Sequence, residues 1–94
     1  MRTPDVETAV RLYYTKSELT NADVAELFGT GESQTIKIKK MAKNEMAKRG
    51  VKSWLPYAVN TKIAYEAWGI DIDDYERRLK KLRSLEKLLG GAQQ

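Results

Sequence analysis

Lysine recurs beside serine, glutamine and asparagine between positions 30 and 52, and this is the part of the sequence best equipped to bind a ligand. On a helix that advances about 100° per residue, these side chains gather on one side of residues 34–49, opposite an apolar stripe. Lysine ammonium groups attract phosphates, and the amides of Gln and Asn can form paired hydrogen bonds with base edges. The predicted contact residues are Thr30, Ser33, Gln34, Lys37, Lys40, Met41, Lys43, Asn44, Lys48 and Lys52.

The charge of the chain is concentrated in the same part. The net charge over 94 residues is +4, but residues 1–33 balance at −3, residues 34–62 at +7 and residues 63–94 at zero. Such a distribution is typical of a polyanion binder. A solvated lysine face is the commoner reason for a basic helix, and the one-sided charge argues against that explanation here. A membrane surface would also attract this charge, but the helix lacks the broad apolar face with Trp or Phe that interfacial anchoring needs.

A short helix is predicted just before the basic one. Thr20 is a favourable N-cap, with Asp23 three residues later to accept hydrogen bonds from the freed amides. Val24, Leu27 and Phe28 then share one helical face. Gly29 ends the helix, where a residue with positive φ is usual.

The basic helix is predicted to begin near Gln34, after a turn over residues 30–33. Ser33 or Glu32 would supply its cap, and the turn is longer than the tightest form by about one residue. Its apolar side, expected to pack on the preceding helix, consists of Thr35, Ile38, Ala42 and Met46.

These features resemble the helix-turn-helix family of DNA-binding domains. The resemblance covers residues 20–49 and rests on a small residue in the first helix (Ala25), a glycine four residues later (Gly29) and a Ser/Thr-rich start to the second helix. It implies that the basic helix enters the major groove. The side chains then expected to face bases are Ser33, Gln34, Lys37 and Met41, and those expected to meet phosphates are Thr30, Lys40, Lys43, Asn44 and Lys48.

Residues 51–59 contain β-branched and aromatic residues around Pro56 and do not have a helical pattern. One interpretation is a β-hairpin folded around Leu55 and Pro56. In this position such a hairpin resembles the wing of winged helix-turn-helix proteins, which include excisionase-like regulators of mobile elements. The resemblance implies DNA contacts by Lys52 and Ser53, with Lys62 as a further candidate. A Pro-containing irregular loop accounts for the same residues. Trp54 and Tyr57 are expected to cover the core, as isolated aromatic pairs usually do.

The remaining sequence predicts three more helices. The first opens with Thr3 as N-cap and Pro4 at the first helical position, and continues to about residue 16. Another is capped by Asn60 and ends at Gly69, with Trp68 sealing the core. The last spans residues 72–89 and begins with acids and continues with bases, an order that suits the helix dipole.

The last helix carries apolar residues at spacings of three and four, which are Ile72, Tyr75, Leu79, Leu82, Leu85 and Leu89. Glu86 is the alternative to Leu85 in this series and interrupts a strict heptad pattern. The helix can either pair with a second chain or fold back on its own domain, and pairing is favoured because the other helices already supply a core. The predicted fold is therefore mainly α, a four- to five-helix helix-turn-helix domain over residues 1–69 with either a small β-hairpin wing or an irregular loop. Residues 70–90 form a dimerisation helix and residues 91–94 a flexible tail.

No catalytic, metal, cofactor or small-molecule site is expected. The chain has no Cys and no His, which excludes disulfides, thiolate nucleophiles and the usual zinc sets. Asp71, Asp73 and Asp74 lie where a helix start favours acids and lack the glycine and distal Glu of a calcium loop. With no signal peptide and no membrane-spanning run, a cytoplasmic location is predicted.

The functional prediction is a homodimeric, sequence-specific binder of double-stranded DNA, not an enzyme and not membrane-bound. Its size and arrangement resemble those of transcriptional regulators or excision accessory factors of phages and mobile elements. Two alternatives stay open at this point. One is a DNA-packaging protein resembling the small subunit of phage terminases, and the other is a protein-interaction module whose basic helix docks on an acidic partner.

Overall fold

Five helices and one two-stranded antiparallel sheet make up residues 3–90, the part of the chain that the computed structural model describes. The protein is therefore mainly helical, as the sequence predicted, and the predicted tail over residues 91–94 lies outside the described residues. In chain order the elements are α1 (Val6–Thr15), β1 (Glu18–Leu19), α2 (Asn21–Phe28), α3 (Glu32–Arg49), β2 (Val59–Asn60), α4 (Thr61–Trp68) and α5 (Ile72–Gly90).

Helix α4 lies at the centre of the fold and holds its neighbours through two buried aromatic side chains. The Trp68 indole N–H donates to the backbone carbonyl of Ile38 in α3 over 2.8 Å, and its ring meets Phe28 of α2 edge to face. The Tyr65 hydroxyl donates to the carbonyl of Ala9 in α1 over 2.6 Å, and burial raises the pKa of this phenol. The prediction that Trp68 seals the core is confirmed, and α1, α2 and α3 are all fixed against one short helix.

The predicted boundaries of α2 are confirmed. Thr20 and Asp23 form a reciprocal capping box, in which the Thr20 amide donates to the Asp23 carboxylate over 2.9 Å and the Asp23 amide donates back to the Thr20 hydroxyl. Gly29 ends the helix with φ of 63°, a left-handed conformation that residues with a Cβ rarely adopt.

The predicted start of α1 is wrong by two residues. Asp5, not Thr3, is the N-cap: its carboxylate accepts from the Thr8 amide at 3.0 Å and from the Thr8 hydroxyl at 2.7 Å. The Asp5 amide also donates to the carbonyl of Leu27 at the end of α2. This contact with a distant helix selects between two neighbouring residues that could both serve as caps.

Of the two interpretations of residues 51–59, the irregular loop is confirmed and the β-hairpin is wrong. Residues 51–58 form an irregular loop, and Val59 pairs instead with Leu19 across the antiparallel β1–β2 ladder. The short segment between α1 and Thr20 therefore contains a strand. Thr61 reinforces this junction, because its hydroxyl donates to the carbonyl of Lys16 over 2.8 Å.

Helix α5 runs antiparallel to α1, since the Tyr14 hydroxyl at the end of α1 donates to Glu76 and Leu82 lies beside Pro4 and Val6 at its start. The first half of α5 folds back on the domain, and Tyr75 and Leu79 are buried there. Residues 83–90 continue past the beginning of α1 for about 12 Å, at 1.5 Å per residue. The fold-back interpretation is thus confirmed for the first half of this helix, and pairing with a second chain through the second half stays a prediction.

The capping assignment of α1 gives a first prediction. Asp5→Ala should lower the free energy of unfolding by about 1 kcal/mol, because the Thr8 amide loses its acceptor. Thr3→Ala is the matched control and should change it by less than about 0.5 kcal/mol. Urea denaturation followed by circular dichroism would measure both, and equal losses would contradict Asp5 as the cap.

A second prediction concerns acid stability. Burial opposes ionisation of Asp23, but hydrogen bonds from Lys16, at 2.7 Å, and from Thr20 outweigh it and lower the pKa of this carboxyl. A carboxyl with a lowered folded-state pKa adds stability above its unfolded pKa of about 3.9 and loses it as the pH falls through the folded value.

Asp23→Asn should therefore be less stable than the unmodified chain by about 1 kcal/mol near neutral pH, a modest loss because Lys16 is half exposed. The difference should shrink as the pH falls below about 3.9 and vanish below the folded-state pKa of Asp23. Denaturation of both proteins across this pH range tests it, and a difference that persists at low pH would rule out the ionised capping box as its source.

Candidate nucleic-acid interface

The link between α2 and α3 is three residues long, from Gly29 to Gly31, because α3 begins at Glu32 and not near Gln34. Gly31 takes the N-cap position with no side-chain capping bond, so the expected caps Ser33 and Glu32 lie inside the first turn. The turn is closed by a 2.9 Å hydrogen bond between the hydroxyls of Thr30 and Thr35. The connection is accordingly shorter than the sequence predicted and matches the tight spacing found between packed helix pairs.

The buried side of α3 is the one predicted. Thr35, Ile38, Ala42 and Met46 are each at most 4% exposed and pack against α2, α4 and β2. The end of the helix is tied to α4 by Arg49, which pairs with Glu66 at 2.6 Å and with Glu45 at 3.1 Å. These two carboxylates, Glu66 first, raise the pKa of the Arg49 guanidinium. The rotation of α3 about its axis is therefore fixed by contacts along its whole length.

The opposite side of α3 is open to solvent. Its exposed residues include every predicted contact on this helix: Ser33, Gln34, Lys37, Lys40, Met41, Lys43, Asn44 and Lys48. Among the residues that the structure describes, no carboxylate forms an ion pair with Lys37, Lys40, Lys43 or Lys48. The helix thus presents four cations that have no ion-pair partner within residues 3–90, and we call this surface the basic face.

Thr30 and Lys52 lie at the edges of the basic face. Thr30 is half-buried, and its hydroxyl is engaged with Thr35, so only part of it is accessible. Lys52 is exposed and lines a groove of about 390 Å³ together with Lys43. This groove runs between the second half of α3 and the loop, so the positive surface continues from the helix onto residues 51–58.

One lysine of α3 belongs to the interior. Lys39 is 5% exposed, and its ammonium donates to the backbone carbonyl of Tyr57. Burial, and secondarily the charge of Lys43, lowers the pKa of Lys39. The burial of Lys39 could have been predicted from the sequence, because Lys39 lies three residues before Ala42 and seven before Met46, on the buried side of the helix.

The loop over residues 51–58 is held by polar contacts to its backbone. The Glu18 carboxylate accepts from the amides of Trp54 and Leu55 at 2.6 and 3.0 Å, and the Ser53 hydroxyl donates to the carbonyl of Ala58 at 2.6 Å. With the Lys39 contact, these bonds connect the loop to both β1 and α3. The loop is irregular but well anchored, and we call it the tethered loop.

The aromatic side chains of the tethered loop point away from the protein. Trp54 is 95% exposed and Tyr57 is 77% exposed, so the prediction that they cover the core is wrong. The backbone amides and carbonyl that anchor the loop face Glu18 and Lys39, and the aromatic rings face the solvent. No local sequence pattern indicates this arrangement, because Glu18 is distant in the chain. An exposed aromatic pair beside a basic face is a feature of interaction surfaces.

Nowhere in residues 3–90 do three or more Asp, Glu, His or Cys side chains group as they would to hold a metal ion. None of the helices in this part of the chain has the length and apolar character to cross a bilayer.

Comparison with known proteins adds no further constraint. No protein-family model, curated protein or solved structure matches the chain. The functional interpretation consequently depends on the geometry and charge of the site itself.

The anchoring of the tethered loop gives a third prediction. Glu18→Ala should raise the hydrogen-exchange rates of the Trp54 and Leu55 amides at least about tenfold, because each loses a charge-assisted acceptor. Glu18→Gln keeps an acceptor oxygen and should show a smaller increase. Amide exchange followed by NMR measures this, and unchanged rates in Glu18→Ala would show that the carboxylate does not hold the loop.

Proposed function

We propose that the chain binds double-stranded DNA, with α3 of the α2–α3 helix pair lying in the major groove. The observation that carries this proposal is the basic face: four exposed lysines, unpaired with any carboxylate of the described residues, lie on a helix whose other side is buried. Cations left unpaired in the folded protein keep their full attraction for phosphates, and each phosphate contact releases condensed counterions.

The dimensions of α3 suit this role. Its 18 residues extend for about 27 Å, and the major groove, about 12 Å wide, admits an α-helix. Helices in such pairs commonly read bases with their N-terminal residues. Gln34 and Lys37 lie near the start of α3, so we assign them, with Ser33 and Met41, to base contacts. We assign Lys40, Lys43, Asn44 and Lys48 to phosphates, together with Thr30 at the turn and Lys52 at the edge of the groove.

The biological role that fits best is a sequence-specific regulator of transcription, or an excision or recombination accessory factor, of a phage or mobile element. In this proposal the chain acts as a homodimer through α5, and two copies of α3 read two half-sites on the same side of the duplex. A DNA-packaging protein similar to a small terminase subunit is the closest alternative, and a ring-sized assembly would favour it.

A second candidate class is a protein-interaction module, and the tethered loop is the observation that favours it. Exposed Trp and Tyr side chains are enriched among the anchors of protein interfaces. Such a module would use the basic face to dock on an acidic protein and would have no affinity for DNA at moderate salt. Titration of a random-sequence duplex across a salt series separates the two classes, because only the DNA binder gives a slope of several released ions.

The assignment of separate base and phosphate contacts on α3 gives a fourth prediction. Lys40→Ala should weaken binding to specific and random duplexes alike and reduce the slope of log K against log salt by about 1, since one phosphate contact is lost. Gln34→Ala should instead cost about 1–3 kcal/mol at the preferred sequence and change little on random DNA. Fluorescence anisotropy with labelled duplexes measures both.

Lys80→Ala is the matched control, because Lys80 is exposed on α5, which packs against α1 and lies apart from the basic face. It removes the same charge and should leave the salt slope unchanged. If Lys80→Ala and Lys40→Ala weakened binding equally, DNA affinity would come from net charge and not from α3. If the unmodified chain failed to bind any duplex at low salt, the proposal would be overturned.

A further inference from the structure

Two aromatic rings of the tethered loop lie almost wholly in solvent. Trp54 is 95% exposed and Tyr57 is 77% exposed, and Leu55 between them is 53% exposed. Neither ring contacts another aromatic ring of residues 3–90. Single apolar residues on a surface are ordinary, but three large ones within four positions form a patch, and such patches mark contact sites.

The backbone beneath these rings is held in place, so their exposure is a property of the fold. The Trp54 amide donates to the Glu18 carboxylate over 2.6 Å, and the Tyr57 carbonyl accepts from the Lys39 ammonium. Pro56 lies between the two aromatic residues and has a fixed φ. Binding to the rings therefore requires little ordering of the loop, which lowers the entropic cost of the contact.

Two unpaired lysines border the same loop. Lys43 and Lys52 line the groove of about 390 Å³ between α3 and the tethered loop, and neither forms an ion pair with a carboxylate of residues 3–90. Glu18, the acid that contacts the loop, is half-buried and accepts from two backbone amides. The apolar part of the lining consists of Met46, Ala47, Val51, Leu55, Pro56 and Ala58.

A single strand of nucleic acid carries the two kinds of group that this surface can bind, phosphate anions and flat bases. Proteins that bind single strands combine a positive groove along the backbone with aromatic side chains on which bases stack. Bases within a duplex are already stacked on one another, and a protein side chain can enter only by unstacking them. Unpaired bases offer open faces without this cost.

We propose that the tethered loop and its groove bind single-stranded DNA, with bases stacked on Trp54 and Tyr57 and phosphates held by Lys43 and Lys52. We call this surface the single-strand site. Lys43 also belongs to the basic face, so the single-strand site is continuous with the surface proposed for the duplex. The inference goes beyond the proposed function because it adds a second class of ligand, and it does not require that the chain bind a duplex.

An acidic protein segment is the alternative occupant, and the charge of this part of the chain favours nucleic acid instead. Residues 34–62 have a net charge of +7, and the lysines of the basic face lie beside the groove with no ion-pair partner in the described residues. A nucleic-acid strand carries an anion on every unit, which matches closely spaced cations. The carboxylates of a peptide are separated by uncharged backbone and side chains.

Substitution of the indole tests stacking and leaves the core intact, because Trp54 is almost fully exposed. Trp54→Ala should raise the dissociation constant for a single strand of about 12 nucleotides at least about fivefold. Trp54→Phe keeps an aromatic face and should retain most of the affinity. Trp54→Leu keeps apolar bulk without that face and should bind as weakly as Trp54→Ala. Fluorescence anisotropy of a labelled oligonucleotide measures all three, with circular dichroism to verify folding.

Tyr14→Ala is the matched control for loss of an exposed ring. Tyr14 is 64% exposed, and its hydroxyl donates to Glu76 where α1 and α5 are in contact. Its removal should leave the affinity for the single strand unchanged. Equal losses in Tyr14→Ala and Trp54→Ala, or full affinity in Trp54→Leu, would overturn stacking as the mode of binding.

The salt dependence tests the phosphate contacts of the groove. Lys52→Ala should reduce the slope of log K against log salt for the single strand by about 0.7, the value for one phosphate contact on a single strand. Lys80→Ala removes the same charge from exposed α5 and should leave this slope unchanged. An unchanged slope in Lys52→Ala would overturn the groove as the path of the strand.

Parallel titrations separate this inference from the DNA proposal and from its own alternative. A chain that binds a duplex but no single strand would overturn the inference and leave the proposed function intact. A chain that binds single strands through Trp54 but has no affinity for any duplex would overturn the proposed function and leave the inference intact. If poly-L-glutamate displaced the labelled oligonucleotide as effectively as an unlabelled oligonucleotide of the same charge, the surface would be a docking site for acidic protein and the inference would be wrong.

Discussion

The placement of α3 depends on the hydrogen bond from the Trp68 indole to the backbone carbonyl of Ile38. The Ile38 carbonyl lies in the middle of α3, where a carbonyl already accepts a hydrogen bond along the helix axis. The buried Trp68 N–H is a second donor to it, and this bond fixes the position and rotation of α3 relative to α4. The Tyr65 hydroxyl makes the equivalent contact to α1. The two donors lie one turn apart on α4. Helix α3, which carries the basic face, and helix α1, which supports α5, are therefore both held in position by α4. Movement of α4 would shift both proposed surfaces together.

The lysines of α3 serve two purposes, depending on which side of the helix they occupy. Lys39 is directed inward by its position beside Ala42 and Met46 and donates to a backbone carbonyl, whereas Lys40, the next residue, is exposed to solvent. Burying an ammonium is costly unless an acceptor is present, and the carbonyl of Tyr57 provides it. Through this bond the tethered loop becomes an extension of α3. A ligand that contacts both α3 and the tethered loop would meet two surfaces whose relative position is already fixed.

The sequence predicted correctly the features that depend on interactions between residues close together in the chain. The capping box of Thr20 and Asp23, the cap at Asn60 and the glycine that ends α2 are recognisable because each acts within a few residues of itself. The start of α1 was misplaced because Thr3 and Asp5 are both suitable caps and the choice depends on Leu27 of another helix. The exposure of Trp54 was missed for the same kind of reason, since Glu18 holds the loop from a remote strand. Strands of two residues are too short to show any period, so β1 and β2 had no signature. The basic face itself was predictable, because helical periodicity separates it from the core.

The two tryptophans occupy opposite extremes of environment, Trp54 in water and Trp68 against Phe28 inside the core. An indole in water emits at longer wavelength than one enclosed by apolar groups, so the intrinsic fluorescence of the folded chain is the sum of two distinguishable components. Unfolding alters chiefly the enclosed ring, while anything that settles on the tethered loop alters chiefly the exposed one. The chain therefore carries separate internal reporters for the integrity of its core and for the occupancy of its surface.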